Sequence, residues 1–394
     1  MKISIFQIFI ILIIFPSLIM GLSTYNVISL GAKPDGKTDS TNAFIKAWYK
    51  ACGTLGKSVI NVPKGRYLIR NAITFQGGRC KSVNINFVIK GTIVAPSDYR
   101  VLGNAHSWFS FESTKGVTIT GGKFDAKGVT LWNCKLSRKT GCPSGASTLA
   151  FTNSNNINIR GVTSINSQLG HISINGCNNV NIQSVKILAS DNSPNTDGIH
   201  VQLSNRVTIL KSKISTGDDC VSIGAGTTAL RIENVLCGPG HGISIGSLAK
   251  DLNESGVENV IVNNVTFVGT QNGVRIKSWG RPSNGFVKKV VFQHCTMIDV
   301  QNPIIIDQNY CPGNQGCPGK ASGVKISDVT YQDIHGTSAT EVAVKFDCSA
   351  INHCQNIKLD NVKLSFNKKQ PAKATCVYAE GSTRGLVVPK SCLY

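Results

Sequence analysis

From about residue 110 onward the chain repeats one phrase: a short run alternating β-branched and polar residues, a polar turn, then another such run. One series contains Asn156-Ile157-Asn158-Ile159, Val180-Asn181-Ile182, Val207-Thr208-Ile209, Leu230-Arg231-Ile232, Val260-Ile261-Val262, Val290-Val291-Phe292, Val324-Lys325-Ile326 and Ile357-Lys358-Leu359. A second runs beside it: Ile172-Ser173-Ile174, Ile199-His200-Val201, Val221-Ser222-Ile223, Ile243-Ser244-Ile245, Val274-Arg275-Ile276 and Ile304-Ile305-Ile306. A period of two turns one side of each strand inward. Two interleaved series with loosely shared spacings predict stacked coils rather than separate hairpins. An antiparallel sandwich is the structural alternative, but it does not require equivalent strands to align coil after coil. No helical pattern long enough for βαβ units lies between the strands. The reading is therefore all-β: a parallel β-helix, or solenoid. Before it, Ser40–Cys52 places Ala43, Phe44, Ala47, Trp48 and Ala51 at helical spacing, which predicts a short amphipathic helix covering the open N-terminal end of the core.

The first residues follow another pattern. Lys2 precedes an almost wholly apolar run from Ile3 to Met20, small residues stand at Gly21 and Ser23, and the chain turns polar at Thr24. That order predicts a cleaved secretory signal over residues 1–23, leaving one β-helix domain over 24–394. A membrane anchor is disfavoured because Gln7 and Pro16 interrupt the run and no polybasic flank follows. Glycine and asparagine recur throughout, which suits many short strands joined by tight turns. The 14 cysteines include the close pairs 134/142, 311/317, 348/354 and 376/392. Behind a secretory signal these read as disulfides; zinc is the weaker reading, since no CxxC occurs. Asn253-Glu254-Ser255 and Asn264-Val265-Thr266 are glycosylation sequons in a secreted chain. A net charge of +20 points to a polyanionic partner, and nucleic acid is disfavoured by the signal and by the lack of any nucleic-acid-binding motif. Charge alone does not choose between an acidic polysaccharide and a merely soluble basic surface.

Register brings in the chemistry. Two positions before the anchors Ile199, Val221, Ile243 and Val274 stand Asp197, Asp219, His241 and Asn272. Equivalent positions on successive coils stack at the strand spacing of ~4.8 Å. Asp218 adjoins Asp219, and Arg275 and Lys277 share one side of their strand. Each motif alone reads as an ordinary turn or solvated strand. In register they gather three carboxyls, an imidazole and two cations into one patch. Like charges held together force carboxyl pKa values apart, which general acid/base cleavage of a glycoside needs.

Ser193-Pro194-Asn195-Thr196-Asp197-Gly198, Gly217-Asp218-Asp219-Cys220, Gly240-His241-Gly242 and Arg275-Ile276-Lys277, in that order, resemble the plant polygalacturonases of glycoside hydrolase family 28. The resemblance runs from about Tyr25 to Cys392, including Gly31-Ala32-Lys33-Pro34-Asp35-Gly36 and Asp307-Gln308-Asn309-Tyr310-Cys311, and is nearest to the endo-acting fruit and floral enzymes. It implies a right-handed β-helix and an inverting reaction without cofactor or metal. It implies Asp218 as general acid, Asp197 and Asp219 as holders of the attacking water, and His241 as a partner tuning the acid. Arg275 and Lys277 are implied to bind galacturonate carboxylates, with Asn195 and Tyr310 as positioning and subsite residues. The implied partner is pectin (homogalacturonan), the location the plant cell wall, and the state a monomer free of membranes after signal cleavage. Cys220 and Cys237 bracket the turn between two site strands and are expected to form a disulfide beneath the site. Cys177 and Cys295, in core-strand patterns, are expected to stay unpaired. Two rival functions share the acidic substrate: a calcium-dependent pectate lyase, and a non-catalytic pectin-binding wall protein, which would not need all three aspartates.

Overall fold

The computed structural model of the chain describes residues 22–137, 140–366 and 370–394. Most of the expected signal segment, residues 1–21, lies outside the described residues. Strands pair in parallel with the equivalent strand of the next coil, forming a parallel β-helix. One sheet carries eleven strands in strict chain order, from Ile73–Gln76 to Lys373–Val377; a larger one wraps the other sides. Among the described residues, antiparallel pairing is confined to Ser365–Phe366 against Gln370–Pro371 and a bridge between Ser349 and Asn352.

The inward rows are aliphatic ladders. In the eleven-stranded sheet Leu149, Ile172, Ile199, Val221, Ile243, Val274, Ile304 and Val344 are cross-strand partners in succession, and all are buried. Such side chains each contribute about 1.5–3 kcal/mol when fully buried, so a one-residue slip of any coil, which would turn its ladder members outward, is strongly disfavoured. The second inward row runs Ile157, Val180, Val207, Leu230, Val260, Val290, Val329 and Ile357. Here the register expected from the sequence is corrected: the partner of Val290 is Val329, not Val324. The excursion containing the Cys311–Cys317 disulfide lengthens this coil, and even spacing no longer locates its strand.

Corners are set by left-handed residues in one row: Asn156, Asn179, Arg206, Ala229, Asn259, Lys289, Asp328 and Asn356, with φ between 52° and 58°. Asparagine and aspartate tolerate that conformation better than most side chains, and Asn179 donates to Asn156 on the coil before it, 2.7 Å away. The asparagine-rich composition thus has a local cause.

Helix α1 (Thr41–Gly53) forms where the spacing predicts it and buries Ala43, Phe44, Ala47, Trp48 and Ala51. Trp48 packs against Phe75, Phe87 and Phe111 at the N-terminal end of the core. A second helix, α2 (Val129–Leu136), was not expected; it belongs to an excursion closed by Cys134–Cys142. Coils also begin earlier than residue 110, since Ser23–Asn26 already pairs with Gly56–Val62 and that strand with Ser82–Val94. The four close cysteine pairs are disulfides, Cys220 joins Cys237, and Cys52–Cys80 completes the set. Cys177 and Cys295 are buried free thiols.

Candidate active site

The outward face of the eleven-stranded sheet carries the site at its middle coils. Ile199, Val221, Ile243 and Val274 pair as expected, so the residues two places before them converge. The two glycines beside His241 are dictated by close approach. A Cβ on Gly240 would stand 2.7 Å from the Asp218 carbonyl oxygen, and one on Gly242 would stand 2.0 Å from that of Asn272; both have positive φ. The His241 amide donates to the Asp218 carbonyl at 2.8 Å, which holds the imidazole against the Asp-Asp turn. Beneath that turn Cys220, fully buried, is tied to Cys237.

The three carboxyls occupy three different environments. Asp219 is buried and accepts from Ser244 Oγ at 2.7 Å, Arg275 Nη2 at 2.9 Å and Lys277 Nζ at 2.9 Å. Asp218 lies nearer the surface. Its Oδ1 faces His241 Nδ1 at 3.1 Å and the Asp219 amide at 2.8 Å, and its Oδ2 lies 3.5 Å from the exposed Asn195 amide. Burial raises its proton affinity, but the His241 hydrogen bond and charge, the Asp219 amide and Lys277 outweigh it, so the pKa lies below the ordinary carboxyl value. Asp197 is half-buried with Ser222 Oγ donating at 2.5 Å. Burial first, then the charges of Asp218 and Asp219, push it up to about 7 against the pull of Ser222 and Lys277.

In the substrate-free site Asp197 is the carboxyl pushed toward holding a proton and Asp218 is pushed away from it. Arg275 and Lys277, expected to face substrate, are each 7% exposed and first of all clamp Asp219. Lys277 nonetheless keeps donors free, and both cations lie against Tyr310, with Nζ of Lys277 5.2 Å and Cζ of Arg275 5.9 Å from its ring centre. Tyr310 packs edge-on against Trp279, an aromatic not singled out by the sequence. Ser222 and Ser244 were also missed; their only signal was their place on the outward side of site strands.

Asp218, Asp219 and His241 bring potential ligand atoms within 4.8 Å of one another. Both Asp219 oxygens are already taken by cations, so this trio reads as an ion-paired acid/base cluster. Asn253 and Asn264 are both exposed, Asn264 at a left-handed bend where its amide donates to Asn234.

Comparison with known proteins shows the family. The profile of the glycosyl hydrolases family 28 matches residues 52–388. The chain belongs to glycoside hydrolase family 28. It is 61% identical to a polygalacturonase of Prunus persica over 370 residues, covering 94% of this chain and 93% of that protein. It is 40% identical to an exopolygalacturonase of Platanus acerifolia over 372 residues, covering 93% and 97%. Among solved structures, the endo-xylogalacturonan hydrolase of Aspergillus tubingensis superposes with a TM-score of 0.80 at 22% identity, covering 93% of this chain and 99% of that one. That likeness carries the fold.

Proposed function

We propose that this family 28 member hydrolyses α-1,4-galacturonosyl linkages of homogalacturonan with inversion, as a secreted, monomeric cell-wall enzyme. The observation that carries the reading is the division of three adjacent carboxyls into three charge environments beside two cations and Tyr310. Asp219 is a fixed anion held by Arg275 and Lys277. Asp218, nearest the surface, is the general acid. An arriving galacturonate brings a carboxylate and excludes water, and both effects raise the proton affinity of Asp218. The site proton then moves from Asp197 to Asp218. Asp197, with a pKa near neutrality, becomes the base that deprotonates the water, while Asp219 holds that water. His241 tunes the acid, and Asn195, Tyr310 and the free donors of Arg275 and Lys277 receive the sugar and its carboxylate. Six disulfides and the surplus of positive charge suit an extracellular enzyme acting on a polyanion.

Endo action is favoured by hollows on both sides of the aspartates along the same sheet. One of about 220 Å³ is lined by Ser147, Ile172, Asn195, Asp197 and His200; one of about 370 Å³, by Asn309, Lys320, Asp347 and Tyr378. Sugars fitted on both sides of the cut describe an internal cleavage. The exopolygalacturonase name of the Platanus relative supports the exo reading as the second. The test is the size distribution of early products from polygalacturonate. Mixed oligomers are expected; monomer or dimer alone from the first minutes overturns the endo reading. An Asp218→Asn enzyme should lose about 10²–10⁴ in rate, and retention of more than half of wild-type kcat would refute Asp218 as the acid. An unsaturated, ultraviolet-absorbing product lost on chelation would identify a lyase instead.

A further inference from the structure

Four side chains outside the recognised Asp motifs form one cross-strand row beneath the carboxyls: His200, Ser222, Ser244 and Arg275. Their hydrogen bonds have a direction. Arg275 has donors only, so its Nε–H donates to Ser244 Oγ at 2.9 Å, and the Ser244 proton is free for Asp219. The other half of the row repeats this logic. Ser222 gives its proton to Asp197 Oδ2, so its oxygen accepts from His200 Nδ1 at 2.8 Å. The His200 proton therefore sits on Nδ1. The bare Nε2 then needs a donor; the Gln202 atom 3.2 Å away is Oε1, and turning that amide end for end, which the network requires, presents its NH2 group instead.

We propose that His200 is a positioning residue whose Nδ1–H, acting through Ser222, aims a hydroxyl proton at Asp197 and so holds that carboxylate oriented and ionisable as the base. This rests on the reading of Asp197 as base. The charged groups facing Asp197 are Asp218, Asp219 and Lys277, and those facing His200 are Lys250, Asp219 and Lys277; the relay adds to their field a directed hydrogen bond. Burial keeps His200 below its ordinary pKa, in keeping with the neutral Nδ1–H ring that the geometry requires.

The tests are Ser222→Ala, His200→Asn and His200→Gln, with kcat and KM on a defined oligogalacturonate followed across pH. Asparagine carries an amide N–H where Nδ1 stands; glutamine mimics Nε2 and cannot reach Ser222. Losing the hydrogen bond makes Asp197 harder to ionise. The acid limb of kcat should therefore move up by about one pH unit in Ser222→Ala and His200→Gln, the size expected when a charged group loses one bond. His200→Asn should keep the wild-type limb, and KM should stay within about twofold in Ser222→Ala, since Ser222 does not line the sugar hollow. Equal shifts in the two His200 variants, no shift in any variant, or a KM effect with an unmoved limb in Ser222→Ala overturns the relay. Asp197→Asn, run alongside, separates the two layers: substantial residual activity refutes Asp197 as base, whereas an inactive Asp197→Asn with unshifted relay variants refutes the relay alone.

Discussion

Asp218 and Asp219 are neighbours in one motif, and both are assigned to the chemistry, yet they should differ sharply in what they do for stability. Asp219 is 2% exposed at its side chain and compensates Arg275 and Lys277, whose side chains are 9% and 8% exposed. Asp219→Asn keeps the shape and removes the charge, leaving two buried cations without the one carboxylate that touches both. Breaking a buried pair from one side costs about 3–5 kcal/mol; here one anion serves two cations, and neither can turn to water without leaving the strand face. Asp218→Asn keeps an oxygen for the Asp219 amide and takes its charge away from His241, which is 36% exposed, and from the long contact to the exposed Asn195, so its cost should stay below about 1 kcal/mol. Urea unfolding of the two inactive variants, followed by fluorescence, measures the difference directly. The midpoint of Asp219→Asn should fall far below wild type at unchanged slope, with Asp218→Asn close to wild type. Equal midpoints would refute the clamp, and with it the assignment of Asp219 as the fixed anion.

His171 is buried, its Nε2 has no partner among the described residues, and burial lowers its pKa to about 3. A depressed histidine gives stability that is full above the unfolded pKa of about 6.5 and lost as pH falls toward 3, at up to about 1.4 kcal/mol per pH unit. His171→Asn, which can still meet Ser164 (2.8 Å from Nδ1), should flatten the acid side of the stability profile; an unchanged slope contradicts this. KM for polygalacturonate should rise steeply between 0.1 and 1 M salt as the screening length shrinks from about 10 to about 3 Å, while a salt-independent KM would deny the charge a role in substrate capture.

The site was legible in the sequence where coil lengths are regular. Ile199, Val221 and Ile243 are evenly spaced, so Asp197, Asp219 and His241 could be stacked by counting. Counting failed at Val324 because the Cys311–Cys317 excursion adds residues without adding a strand, and α2 was too short to show a helical period. The electrostatic detail was illegible for a different reason. That Arg275 and Lys277 share a face follows from their spacing, but that Asp219, more than fifty residues earlier, takes up both charges depends on how deeply each side chain is buried. Ser222 and Ser244 left no signal, since serine on an outward strand position is ordinary until a carboxylate is seen above it. The upward push on the Asp197 pKa likewise follows from three-dimensional burial and neighbouring charge.

The central claim is inverting hydrolysis by a separate acid and base, and proton NMR of the first minutes of polygalacturonate cleavage tests it most directly. Water arriving opposite the leaving group turns the α-linkage into a new reducing end of β configuration, with the α anomer appearing only later by mutarotation. An α anomer formed first, or a covalent glycosyl adduct on Asp197, Asp218 or Asp219, would contradict the account.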